Sequence, residues 1–142
     1  MRSKSEAQVY LGQVEMIEAI IQNKMIEQQQ WYDMALNITA NMGSERVQSS
    51  GSKSKMADAV DKCIDVGDQI NALIDKLVDI KRDVIQTLEK LNSPTEYRVL
   101  HMRYIQFKDL QEIADHFHKE YGWATTTHGR ALKNVQDILD RK

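Results

Sequence analysis

The chain has 142 residues, carries 19 Lys and Arg against 21 Asp and Glu, and contains one proline, six glycines and one cysteine. Such a length holds one ordinary domain or two very small ones, and a net charge of −2 lacks the strongly basic footprint of many nucleic-acid binders. A single thiol, Cys63, excludes an intrachain disulfide and fits a reducing compartment, while the shortage of Pro and Gly leaves few turns to bound a sheet, so the composition predicts an all-α fold.

The N-terminal Met-Arg-Ser-Lys-Ser-Glu leads into an amphipathic stretch and not an apolar signal region, and no run approaches the ~18 apolar residues of a membrane span. The expectation is a cytoplasmic protein with no membrane partner. Charge is uneven along the chain: residues 1–42 carry three cations and five anions, 43–55 three and one, 56–92 five and eight, and 93–142 eight and seven. The small basic excess lies in the middle segment and the C-terminal part, which permits DNA contact there without arguing for it alone.

From Tyr10, apolar residues recur at steps of four and three: Tyr10, Val14, Ile17 and Ile21, then Trp31, Ala35, Ile38 and Met42, with polar Lys24 and Gln28 interrupting the stripe. That spacing is one face of a long helix. Residues 43–55 (GSERVQSSGSKSK) have the Gly and Ser density of a flexible linker. A second stripe runs Met56, Ala59, Cys63, Val66, Ile70, Leu73, Leu77, Ile80, Val84, Leu88 and Leu91, close to a seven-residue repeat over about five heptads. Two such helices bury their stripes on one another, which predicts a long antiparallel, coiled-coil-like hairpin over residues 1–92. Ile64, Ile74, Val78 and Ile85 widen the second stripe beyond what one partner helix covers, and a homo-oligomer is the expected way to cover the remainder.

Asn92 and Ser93 are expected to stop the second helix, and Ser93-Pro94-Thr95-Glu96 reads as a capping box opening a separate unit over residues 93–142. Three short patterns follow: Tyr97, Leu100 and Tyr104; Leu110, Ile113, Ala114 and Phe117; then Ala124, Thr127, Ala131, Leu132, Val135 and Ile138. The second and third are spaced as a helix-turn-helix, with small Ala114 where the two helices cross closely.

Leu100, Arg103, Tyr104, Glu112, Ile113, Ala114, His128, Ala131 and Leu132 fall in the order and spacing of a known pattern. On these residues the C-terminal unit resembles sigma-70 region 4, the promoter-reading end of bacterial sigma factors. Glu45 to Gly51 (ERVQSSG), Met56 to Val60 (MADAV) and His128 to Leu132 (HGRAL) extend the likeness to phage and prophage proteins related to the ArpU-type late transcription regulators. The resemblance implies a phage-type transcription regulator or sigma-like factor that binds duplex DNA. Its last helix would enter the major groove, and its hairpin would oligomerise or meet RNA polymerase. With Ala124, Thr127, Ala131 and Val135 inward, the outward face holds Tyr121, Gly122, Thr125, Thr126, Gly129, Arg130 and Lys133. Thr125 and Thr126 suit base edges, and Arg130 and Lys133 suit phosphates. Lys108 and Gln111 are placed to pin the backbone. The turn departs from the sigma pattern, since His118-Lys119-Glu120 stands where a Gly and a Ser N-cap are expected, so the start of the recognition helix is open.

Other features have plainer readings. His101, His116, His118 and His128 lack a ligand spacing and read as structural or solvated, and Cys63 falls on the apolar stripe as a small core residue. Asp58, Asp61, Asp65, Asp68, Asp75, Asp79 and Asp83 recur as a solvated helix face does. The basic 46–55 stretch reads as a solvated loop before it reads as a DNA arm. With no phosphate loop, nucleophile elbow or metal signature, no enzymatic activity, cofactor or metal is expected. The alternative function is a structural or packaging-associated helical protein whose C-terminal unit binds protein.

Overall fold

The computed structural model describes residues 4–44 and 50–142. All regular structure among them is helical: α1 (Glu6–Ser44), α2 (Ser50–Leu88), α3 (Pro94–Tyr104), α4 (Leu110–His116) and α5 (Tyr121–Asp140). The fold is all-α, with α1 and α2 as the long hairpin and α4 and α5 as the helix-turn-helix. Among the described residues no helix is long and apolar enough to cross a membrane.

The hairpin helices run further into the Gly/Ser segment than its composition predicts. Gly43 and Ser44 belong to α1 and residues 50–55 to α2, and of the expected 43–55 linker only 45–49 lie outside the described residues. Extending an already nucleated helix adds a hydrogen bond per residue, and this outweighs the ~0.5 to 1 kcal/mol that each Ser or Gly forfeits. At its other end α2 stops at Leu88, short of Asn92, where Lys90 and Leu91 switch to tighter bonds onto the Thr87 and Leu88 carbonyls.

The chain divides into two compact units, and the division does not fall at Ser93 as expected. One unit is residues 1–17 with 77–142, the other residues 18–76. In the first, Ala7, Leu11 and Val14 of α1 and Val84 and Leu88 of α2 join Leu100 and Tyr104 of α3 and Ala131 and Val135 of α5 in one cluster, all but Tyr104 without accessible surface. Residues 93–142 therefore share this cluster with the ends of the hairpin helices. Polar contacts repeat the association: Gln136 of α5 accepts from the Ala7 amide (3.1 Å) in the first turn of α1 and donates to Glu6 (3.0 Å). Ser5 caps the same turn by accepting from the Gln8 amide (3.2 Å). Tyr10 bridges the two hairpin helices, its hydroxyl bonded to Asp83 and to the buried Thr87 hydroxyl (2.8 Å). Burial and the Asp83 carboxylate push that phenol up to about 12.

The unit of residues 18–76 buries Ile21, Ala35, Ala59, Val66 and Ile70, with Trp31, Ile38, Met56, Cys63 and Leu73 half-buried. Both stripes are thus seated as their spacing predicts, although the Met42 side chain lies outside the described ones. Gln28, which interrupts the stripe, is satisfied by backbone. Its amide donates to the Cys63 carbonyl (3.0 Å), and the Cys63 thiol donates to the Gln28 carbonyl (3.7 Å). Gly67 opens the approach, since a Cβ there would stand 2.9 Å from Gln28 Nε2. A polar layer of this kind fixes the register of two otherwise slippery stripes.

Because Leu11 is wholly buried in the cluster that also holds α3 and α5, Leu11→Ala is expected to cost about 2 to 5 kcal/mol. The loss should appear in the unfolding of α5. Urea denaturation followed at Trp123 in a Trp31→Phe background checks it; an unchanged midpoint would show that residues 93–142 fold without the hairpin.

Candidate nucleic-acid interface

Helix α3 opens on Ser93, whose side chain accepts from the Glu96 amide (3.2 Å), with Pro94 at the first helical position. The expected reciprocal half of this capping box does not form. Glu96 is buried, and its carboxylate accepts instead from Asn134 of α5 (2.6 Å), so the side chain ties two helices and not one turn. The capping box stands one helix later, where Asp109 accepts from the Glu112 amide (2.8 Å) and Glu112 accepts from the Asp109 amide (3.3 Å). Val99, Met102 and Ile113 then lock α3 to α4, with Leu110, Phe117 and Trp123 packed around them.

Most residues that carry the sigma-like pattern are core. Leu100, Ile113, Ala114 and Ala131 have no accessible surface, and Ala114 permits the close crossing of α4 and α5. Tyr104 and His128 form a pair between α3 and α5, with 2.7 Å from the phenol to Nε2 and the rings stacked at 5.6 Å. Burial pushes the Tyr104 phenol up, and burial with the nearby Arg103 guanidinium pushes His128 below the ordinary imidazole value of 6.5. A protonated phenol donating to a neutral imidazole is the arrangement both shifts favour.

The turn between α4 and α5 carries the local cost of the motif. His118 adopts φ 56°, the left-handed conformation that a glycine takes without penalty and an L side chain at ~1 to 2 kcal/mol. The Lys119 amide closes the turn onto the Ala114 carbonyl (2.9 Å). Glu120 is the N-cap of α5, and its side chain makes no capping bond. These facts settle where α5 starts: Tyr121 is its first residue, in the place left open by the missing Gly and Ser.

Beyond that start the two faces of α5 are opposite in character. Ala124, Thr127, Ala131, Val135 and Ile138 are buried, whereas Tyr121, Gly122, Thr125, Thr126, Gly129, Arg130 and Lys133 are exposed. The Thr125 hydroxyl donates to the Tyr121 carbonyl (2.7 Å), which leaves its oxygen an acceptor for an outside donor. A Cβ at Gly122 or Gly129 would meet nothing within 4 Å, so nothing in the fold requires glycine at either position. Gln111 is exposed and donates to Asp115 (2.9 Å) at the side of α4. Lys108 is half-buried in the loop before α4, its amide held by the Met102 carbonyl (3.0 Å). Lys108 lines a cleft with Arg98, His101 and His116, three residues not singled out for binding by the sequence pattern because they come from separate turns.

The Tyr104–His128 pair makes stability depend on pH with a definite sign. His128 has a folded-state pKa below its unfolded value, so its contribution is fully present above about pH 6.5. It is lost as pH falls from there through the depressed folded value, because the unfolded chain takes up the proton first. His101, also held low by burial and Lys81, adds an effect of the same sign. Urea midpoints measured from about pH 8 to about pH 5 should decline below 6.5, and His128→Gln should flatten most of the decline. Compared with protein-family models, with curated proteins and with solved structures, the chain matches none.

Proposed function

We propose that this chain is a phage-type, sigma-like transcription regulator that binds duplex DNA through the outward face of α5, with its hairpin mediating self-association or contact with RNA polymerase. The observation that carries this reading is the composition of that face. Two hydroxyls (Thr125, Thr126), two cations (Arg130, Lys133) and two glycines (Gly122, Gly129) share one exposed side of a helix whose other side is wholly engaged in the core. Glycine in a helix forfeits ~1 kcal/mol relative to alanine, and here no neighbour within the fold accounts for it. A close-approaching external surface does. Hydroxyls and a planar guanidinium match base edges and phosphate oxygens, and the sigma-like pattern of Leu100 to Leu132 supports the same use.

Charge sets the strength of the interaction. Glu120 stands at the start of α5 and Glu112 and Asp115 lie on α4, so few phosphates are drawn by the unit as a whole. Binding then rests on individual side chains. Arg130→Ala or Lys133→Ala is expected to weaken binding about equally on all sequences and to lower the salt slope by ~1 for each phosphate no longer neutralised. Thr125→Ala and Thr126→Ala should instead relax preference at particular base pairs, by about 1 kcal/mol each, since a hydroxyl makes no bidentate pair. Binding to a random duplex pool at low salt, followed by selection, reads both effects. Absence of any DNA retention at low salt would overturn the reading in favour of a protein-binding helical assembly.

Self-association is supported by the unit of residues 18–76, where Met25, Ile26, Tyr32 and Leu36 of α1 and Val60, Ile64 and Ile74 of α2 remain exposed. Two helices bury one stripe each, and this second apolar set fits a further copy of the hairpin. Light scattering is expected to give at least a dimer at micromolar concentration; a monomer would remove this part of the proposal.

A further inference from the structure

A cleft of 260 Å³ lies between α3 and the end of α4, apart from the exposed face of α5. Its polar wall is made by Arg98, His101, Lys108 and His116, with Tyr97 and Gln106 beside them and buried Met102 as its apolar part. None of the lining residues is a carboxylate. Among the described residues Lys24 has an acid beside it in Glu27 (3.3 Å) and Lys142 in Asp83 (4.0 Å). In the cleft the cations are gathered together without a counter-charge.

The donors are also held in place. The Arg98 guanidinium stacks over the Phe117 ring (5.1 Å to its centre) and donates through Nη2 to His116 Nε2 (3.0 Å), leaving its remaining N–H groups unused by that bond. Gln106 Nε2 lies 3.0 Å from His101 Nδ1, and an amide nitrogen only donates, so neutral His101 carries its proton on Nε2. Burial and the Lys81 ammonium of α2 hold His101 below the ordinary imidazole range, as expected where positive potential is uncompensated. Phe117 in turn meets Trp123 in the first turn of α5 (ring centres 5.1 Å apart), so the stack Arg98–Phe117–Trp123 joins the cleft to the start of that helix.

We propose that this cleft binds a phosphoryl oxyanion, taken up by the Arg98 fork, the Lys108 ammonium and the His101 Nε2–H. A tetrahedral group with several terminal oxygens uses donors of three geometries at once, which a carboxylate does not. Two sources present this chemistry: a backbone phosphate of duplex DNA lying along α5, or a free phosphorylated small molecule. The site itself does not rest on the DNA reading, because the first arm of the test contains no DNA.

Inorganic phosphate is titrated into the full chain against chloride at equal ionic strength, and the histidine ring resonances are followed by NMR. The His101 and His116 signals should move saturably, and Lys108→Gln or Arg98→Gln should weaken the response about tenfold, the scale of one charge-assisted hydrogen bond. Arg98 also supports Phe117, so Lys108→Gln serves as the variant that leaves the aromatic stack intact. In the second arm, the salt slope of duplex binding is compared across the same variants. A slope lowered by ~1 identifies a DNA phosphate as the occupant. An unchanged slope together with the weakened phosphate binding identifies a free phosphorylated ligand. If phosphate moves the rings no more than chloride does, and neither variant alters the slope, the proposal is overturned.

Discussion

The burial of Leu11, Val84 and Leu88 against Leu100, Ala131 and Val135 fixes the orientation of everything the C-terminal helices present to solvent. Helix α5 is poorly equipped to exist alone. It contains two glycines, lacks a capping side chain and starts beside a left-handed histidine. Its order comes from the inward face, which packs on α3 and α4 and, at Ala131 and Val135, shares a cluster with the first turns of α1 and the last turns of α2. The Gln136 contacts with Ala7 and Glu6 and the Asn134 contact with Glu96 add polar ties on the two sides of the same helix. The exposed face of α5 is thus held by a core assembled from segments distant in sequence, at separations that slow folding.

Periodicity makes most of the helices legible. The stripes from Tyr10 and from Met56, and the small Ala114 at the crossing, depend only on which residues share a helix face, and spacing reports that directly. What covers a face is a different matter. The capping pattern at Ser93 and the composition break there point to a separate unit, yet Ala7, Leu11, Val84 and Leu88 carry no mark to distinguish a hairpin partner from α3 and α5. Glu96 misleads for a related reason: its place three residues after Ser93 fits a cap, and nothing local shows that Asn134, 38 residues on, competes for the carboxylate. The outward face of α5 is legible because it belongs to one helix. The cleft is not, because Arg98, Gln106, Lys108 and His116 meet only after α3 and α4 have packed.

Departures from good local structure occur in two places, the left-handed Phe107 in the loop before α4 and the start and exposed side of α5. The left-handed His118, the uncapped Glu120, and Gly122 and Gly129 all lie within the turn and exposed side of α5, while every buried side-chain polar atom among the described residues has a partner. Breaks in local rules commonly mark a surface used for something other than stability. The glycines are the most informative of these. A strained turn serves the geometry of the helix crossing, but a glycine on an open helix face serves nothing inside the molecule.

Near-neutral charge shapes how such a surface works under the proposed reading. A strongly basic protein gains affinity for any duplex from its overall field, and sequence reading is added on top. Here the field is weak, and the outward face of α5 carries only Arg130 and Lys133, with Arg98 and Lys108 at the cleft. Sequence-independent attraction is correspondingly small, so a larger share of the discrimination rests on the fit of the α5 face to base edges and on the number of copies that engage together. Two copies joined through the hairpin double the phosphates engaged without raising the charge density of either. On the proposed reading, self-association and DNA binding are linked requirements, because a monomer with this charge balance would engage too few phosphates to stay on a duplex at physiological salt.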